Sequence, residues 1–183
     1  MAKVRADAHR NRERLMEAAA AAFAAADGTA VSLEAIAKDA GVGIGTLYRH
    51  FPSREALVEA VYRTELAEVS ASAAELLEHH APVTALRRWM HRYASFVAAK
   101  QGMAESLGAL FASGAVEPGD TRTSIVGAVD TLLRAGAADG TLRSDVSAED
   151  VVSSLIGITI ASHSTDQANR MRDLLVDGLV ATR

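Results

Sequence analysis

Apolar residues recur along this chain at helical spacing. Leu15, Ala19, Ala22, Phe23 and Ala26 fall at i, i+4, i+7, i+8 and i+11. This one-sided stripe predicts an amphipathic helix of about 18 residues, from near Ala8 to Ala26. Asp27-Gly28 ends it. A second, short helix starts at Ser32, whose hydroxyl can accept a free backbone N–H. It buries Leu33, Ile36, Ala37 and Ala40, and Gly41 supplies a left-handed stop. Two residues later the pattern is helical again, through Leu47 and Tyr48 to His50. Two short helices joined by a Gly-containing turn make a helix-turn-helix. The first helix is its third wall, Val42 and Leu47 plug the space beneath the turn, and Pro52 closes the unit.

Six further helices follow. Ser53 caps a long one that carries Leu57, Val58, Val61, Tyr62, Leu66, Val69 and Leu76 almost to His80, with Pro82 as its end. The fifth presents Leu86, Trp89, Met90, Tyr93, Phe96 and Val97 until Gly102, and the sixth Met103, Leu107, Leu110 and Phe111. "ASGAVEPGD" reads as a loop before a seventh helix with Ile125, Val129, Leu132 and Leu133, which stops near Gly140. Ser147 with Asp150 three residues on resembles a capping box. It opens an eighth helix, Val151 to about Ser164, and a ninth runs from about Asp166 to Ala181. The expected fold is all-α, with about nine helices, no strand and no internal repeat. A helix-turn-helix domain occupies residues 1–52 and a larger helical ligand-binding and dimerisation domain residues 53–183, with helix 4 (about 53–80) as the link.

Composition agrees with helix: nearly half of the residues are hydrophobic, aromatics are only 4%, and there are three prolines. The core must therefore be built mainly from Ala, Leu and Val. Absence of cysteine removes disulfides, thiolate nucleophiles and Cys-based zinc sites. The stretch "MAKVRADAHRNRERL" lacks the apolar segment of a signal peptide, and "SSLIGITIAS" is too short to span a bilayer. A soluble, cytoplasmic protein with no membrane partner is expected. The net charge of −4 hides an uneven distribution. Residues 1–14 carry Lys3, Arg5, Arg10, Arg12 and Arg14 against only Asp7 and Glu13, while residues 1–60 balance and the excess of acid lies beyond. A basic arm on an acidic body suits a polyanionic partner and suits a solvated tail equally well.

The segment "GVGIGTLYRHF", residues 41–51, holds the densest candidate chemistry. The second helix of a helix-turn-helix enters the major groove of DNA with its N-terminal residues toward base edges. Gly43 serves as N-cap, and Gly45 leaves backbone bare where DNA can approach. Glycine inside a helix costs roughly 1 kcal/mol relative to alanine, which a DNA contact would explain. Ile44 suits a thymine methyl, Thr46 a base or a phosphate, and Arg49 a guanine O6/N7 pair. Tyr48 and His50 suit phosphates. Arg54 places a cation in the first turn of a helix, against the macrodipole, and a phosphate there would relieve the conflict. Ser32 can use its hydroxyl in the same way.

"VSLEAIAKDAGVGIGTLYRHFPSREALVEAV" resembles the DNA-binding domain of TetR-family transcriptional repressors across roughly residues 10–62. The pattern AGV-x-x-G-T-L-Y-x-H-F-x-S-x-E-x-L is far more specific than a generic helix-turn-helix. The resemblance implies a homodimer that binds a palindromic operator on double-stranded DNA and is released by a small-molecule effector of unknown identity. It puts Gly43, Ile44, Gly45, Thr46, Tyr48, Arg49 and His50 in DNA-contact places and Arg54 where the family usually has a phosphate-binding Lys. Gly43 departs from the frequent Ser or Thr. Beyond residue 65 the resemblance is weak.

In the C-terminal part, "VVSSLIGITIAS" and "MRDLLVDGLVA" are apolar on more than one face. Such helices are buried twice, so helices 8 and 9 read either as a four-helix homodimer contact or as the core of a monomer. Trp89, Met90, Tyr93, Phe96, Met103 and Phe111 read as the lining of an effector pocket, with ordinary core packing as the alternative. His91 and His163 are candidate polar groups there. Glu75 and His79 share a helix face at a spacing a metal can use, with no evident third ligand, so no metal and no cofactor is expected. No Gly-rich phosphate loop and no nucleophile–base constellation is present, and the chain is expected not to be an enzyme. The expected function is a ligand-responsive DNA-binding repressor. The rival is a helical small-molecule-binding protein or metal sensor whose helix-turn-helix is architectural.

Overall fold

The computed structural model describes residues 2–26 and 31–181, with side chains from residue 6 onward. Among the described residues there are nine helices: α1 (Ala2–Ala24), α2 (Leu33–Asp39), α3 (Ile44–His50), α4 (Arg54–His79), α5 (Pro82–Gly102), α6 (Ala104–Ala112), α7 (Pro118–Ala138), α8 (Ala148–Ala161) and α9 (Thr165–Leu179). The expected stop at Asp27-Gly28 lies outside the described residues. Helix α1 starts well before the predicted Ala8. The apolar stripe begins only at Leu15, but the polar stretch before it is helical too, with Arg10 bonded to Asp7 and His9 to Glu13. The only β pairing among the described residues is an isolated antiparallel bridge between Leu142 and Val180. None of the described helices is long and apolar enough to cross a membrane.

The chain divides into two compact units, residues 1–65 with 95–118 and residues 66–94 with 119–183. The long helices α4 and α5 therefore each contribute to both. In the first turns of α4, which belong to the first unit, Leu57, Val58 and Val61 are buried.

In the first unit α1, α2 and α3 pack on one another. Leu15, Ala19 and Phe23 meet Ile36, Ala37 and Leu47, all buried, and Phe51, Leu57, Val58 and Val61 extend that core. Fully burying each Leu, Ile or Phe contributes about 1.5–3 kcal/mol, so these positions hold the short α2 and α3, which are too short to persist alone. The Tyr62 ring lies 5.7 Å from Phe96 and 6.3 Å from Phe111. Gly102 ends α5 where a Cβ would stand 2.0 Å from the Phe23 carbonyl oxygen, so only glycine fits.

In the second unit Trp89 is fully buried, stacks on Tyr93 at 5.5 Å and donates its indole N–H to the Val69 carbonyl at 2.8 Å. Val129 and Leu132 of α7, and Val151 and Leu155 of α8, are buried as well. Ser147 caps α8 by accepting the Asp150 N–H at 3.1 Å, as its sequence spacing predicts. The α9 end is fixed by the Arg143 N–H on the Leu179 carbonyl and the Ala181 N–H on the Thr141 carbonyl.

Candidate nucleic-acid interface

The interface is built on the turn between α2 and α3. Gly41 has φ +66°, which a residue with a Cβ rarely adopts. Its N–H bonds to the Lys38 carbonyl and the Val42 N–H to the Ala37 carbonyl, the two crossed bonds of a Schellman stop. That turn aims α3 away from α2. Gly43 caps α3 with extended backbone and no side-chain bond, its carbonyl accepting from Thr46 at 2.8 Å. Leu47 is the buried anchor of α3, and the side chains around it face outward. Ile44 is 37% exposed and Tyr48 47%, large apolar surface left in water. A Cβ added at Gly43 or at Gly45 would meet nothing within 4 Å. The protein's own packing therefore does not require glycine at either place.

Arg49 is exposed and lies back along its own helix. Its Nε–H donates to the Gly45 carbonyl at 3.1 Å and Nη2–H to the Thr46 hydroxyl at 3.2 Å. His50 is half-buried, its ring 6.5 Å from Phe51. Arg12 of α1 holds its guanidinium 4.5 Å over the Phe51 ring. Ser32 accepts the Ala35 N–H at 3.3 Å as an N-cap and donates to the Glu34 carboxylate at 2.8 Å. The Glu34 backbone N–H, and then the Ser32 hydroxyl, hold the Glu34 carboxyl below the usual carboxylate range. An ionised carboxylate thus sits on the hydroxyl that the sequence assigns to a phosphate.

Arg54, half-buried at the start of α4, has protein partners of its own in the free chain. It donates to the Val31 carbonyl and, at 3.3 Å, to Ser106, and it stands 5.8 Å from the Phe23 ring. The cation that opposes the α4 macrodipole is stabilised by protein acceptors. Neither partner is visible locally, since Ser106 lies on α6 and only Val31 borders α2.

The six aromatic and methionine candidates fall in both compact units. Trp89, Met90 and Tyr93 are buried in the second, Phe96 and Met103 are buried in the first, and Phe111 is half-buried there. Sequence reasoning missed Lys100, whose ammonium lies 5.6 Å from the Phe111 ring and which burial pushes below its ordinary range. Nothing in its local sequence marks it. Glu75 pairs with Arg92 at 3.0 Å. In the second unit, Ile160 on α8 is 80% exposed and Leu174 on α9 71%, with Ile156 also exposed.

Two family models match. Residues 15–61 match bacterial regulatory proteins of the tetR family, and residues 81–181 match the C-terminal domain of SbtR-like transcriptional regulators. A solved TetR transcriptional regulator of Streptomyces coelicolor is 44% identical over 94% of this chain and 99% of its own, with a TM-score of 0.84. A TetR transcription regulatory protein of Mycobacterium vanbaalenii is 33% identical over 97% and 99%, with a TM-score of 0.74. A gamma-butyrolactone receptor shares the fold, at 21% identity and a TM-score of 0.61 over 96% of this chain and 91% of that one. Among curated relatives, an HTH-type transcriptional regulator of Staphylococcus aureus (strain USA300) is 40% identical over 63 residues. That match spans 34% of each chain, about a third of the relative's length.

Proposed function

Because this chain belongs to the TetR family of bacterial regulatory proteins, we propose that it is a transcriptional repressor that binds a palindromic operator as a homodimer and leaves it when a small molecule binds. The observation that carries this reading is the surface of α3, where two glycines that no internal contact requires stand beside exposed Ile44, Tyr48 and Arg49. In this reading residues 1–52 are the DNA reader and residues 53–183 the ligand-binding and dimerisation part. Ile44 and Arg49 face base edges, and Thr46, Tyr48 and His50 work at the groove edge. Gly43 and Gly45 let the sugar-phosphate backbone approach, and Ser32 is an outer phosphate contact once DNA displaces Glu34. Arg54 is a phosphate contact at the start of α4, held in the free chain by Val31 and Ser106.

The second copy docks through α8 and α9, where Ile156, Ile160 and Leu174 remain exposed on one chain. Two recognition helices then face major grooves about 34–36 Å apart. The candidate effector contacts are Trp89, Met90 and Tyr93 of the second unit and, as a separate group, Phe96, Met103 and Phe111 of the first. All but Phe111 are buried, so a ligand at either group must shift side chains to enter. It changes DNA affinity only by its differential affinity for the shifted and unshifted states. The protein works in the cytoplasm, where its DNA is.

Selection of bound duplexes from a random pool tests the reading. The expected product is a palindrome with half-sites about one helical turn apart, bound with steep salt dependence. Enrichment of no sequence, with binding no tighter than to bulk duplex, would show that the helix-turn-helix is architectural.

A further inference from the structure

Arg49 is the residue whose donors fit a guanine, and the structure fixes more than its identity. A guanidinium has five N–H donors in one plane. In this chain Nε–H is used by the Gly45 carbonyl at 3.1 Å and one Nη2–H by the Thr46 hydroxyl at 3.2 Å. The side edge of the guanidinium is thereby clasped to its own helix, one turn back. What remains free of these two bonds is the end of the fork, the second Nη2–H and both Nη1–H. That end carries a parallel pair of N–H groups, the arrangement that matches guanine O6 and N7.

We propose that Thr46 is a positioning residue for Arg49, holding the guanidinium by its side edge so that it reads one guanine end-on. The inference rests on the reading that α3 enters the major groove. It assigns Thr46 a role through Arg49, in place of a base or phosphate contact of its own. Thr46 and Arg49 are three apart, so they stand on one helix face. Thr46 is half-buried while Arg49 is exposed, which lets the shorter side chain act as the fixed post. An arginine side chain has many rotamers, and a clasp made before binding removes part of the ordering cost at the DNA. Gly45 contributes its carbonyl only. A Cβ at Gly45 meets nothing within 4 Å, so the clasp does not depend on glycine there.

The test is duplex selection with the full-length protein and three variants, Thr46→Val, Thr46→Ser and Arg49→Ala. Arg49→Ala is expected to erase the preference at one base pair in each half-site. Thr46→Val, which lacks the hydroxyl, is expected to weaken the preference at that same base pair about tenfold, with the salt slope unchanged. Thr46→Ser, which keeps the hydroxyl, restores it. If Thr46→Val unfolds the chain, as judged by its helical circular dichroism, Thr46→Ala takes its place with the same expectation. The proposal is overturned if the Arg49-dependent base pair keeps its full preference in the hydroxyl-less variants. It is overturned equally if the loss falls on another base pair, or on all duplexes evenly with a shallower salt slope, since Thr46 then touches DNA directly. A wild-type protein that selects no sequence fails the underlying reading instead, and is told apart at the first step.

Discussion

Gly45→Ala is expected to make the free protein more stable and its operator complex weaker. Gly45 lies in the first turn of α3 with helical backbone, so alanine adopts the same conformation without strain. A methyl group there meets open space in the protein, and the gain from reduced unfolded-state freedom is about 0.5–1 kcal/mol. On DNA the same methyl presses on the backbone that the bare helix admits. Overpacking of this kind costs about 1–3 kcal/mol, roughly a tenfold to hundredfold rise in Kd. Thermal unfolding and a binding titration on the selected duplex check the two halves. Gly43 is a poorer choice, because alanine is a worse N-cap than glycine and both effects would then point downward. Equal or tighter DNA binding by Gly45→Ala would mean that DNA does not need the bare backbone at that position.

Ile160→Asp combined with Leu174→Asp is expected to split the dimer without unfolding the chain. Both side chains are largely exposed in one copy, so the substitutions leave the single-chain core untouched. In a two-fold interface the same patch meets its own copy, and every substitution counts twice. Burial of one Leu or Ile contributes about 1.5–3 kcal/mol, so the four side chains of the two copies contribute roughly 6–12 kcal/mol, comparable to the whole affinity of a micromolar dimer. The mass measured by light scattering should fall to one chain, with helical content kept. Operator affinity should fall with it, and the salt slope should roughly halve as phosphate contacts fall to those of one subunit. A variant that remains a dimer at micromolar concentration would place the interface elsewhere than α8 and α9.

What the sequence made legible was set by the range of the interactions involved. The α2–turn–α3 unit depends on neighbours: Ser32 caps three residues ahead, Gly41 turns the chain, and Leu47 anchors one short helix. All three follow from local pattern, and the structure has them. The start of α1 was harder, because helical propensity and pairs such as His9–Glu13 carry the helix beyond the apolar stripe that marks it. The free-chain partners of Arg54 could not be read locally. Its acceptors are Val31, 23 residues earlier, and Ser106, 52 residues later, and a guanidinium in a first helical turn looks the same in sequence whether phosphate or protein satisfies it. Trp89 is a similar case: large apolar residues line pockets and fill cores alike, and its N–H partner, the Val69 carbonyl, lies on another helix. Gly102 looked like a helix stop, while the close approach of the Phe23 carbonyl is its stricter requirement.

The open surface over Gly43 and Gly45 is the feature from which the functional reading grows, and glycine amide resonances report on it one residue at a time. Protein labelled with nitrogen-15 at glycine is titrated with its selected duplex. The Gly43 and Gly45 signals are expected to move to new positions at saturation, while those of Gly127 and Gly140, outside the DNA reader, hold theirs. Unmoved signals from Gly43 and Gly45 on fully bound protein would mean that DNA lies against some other face.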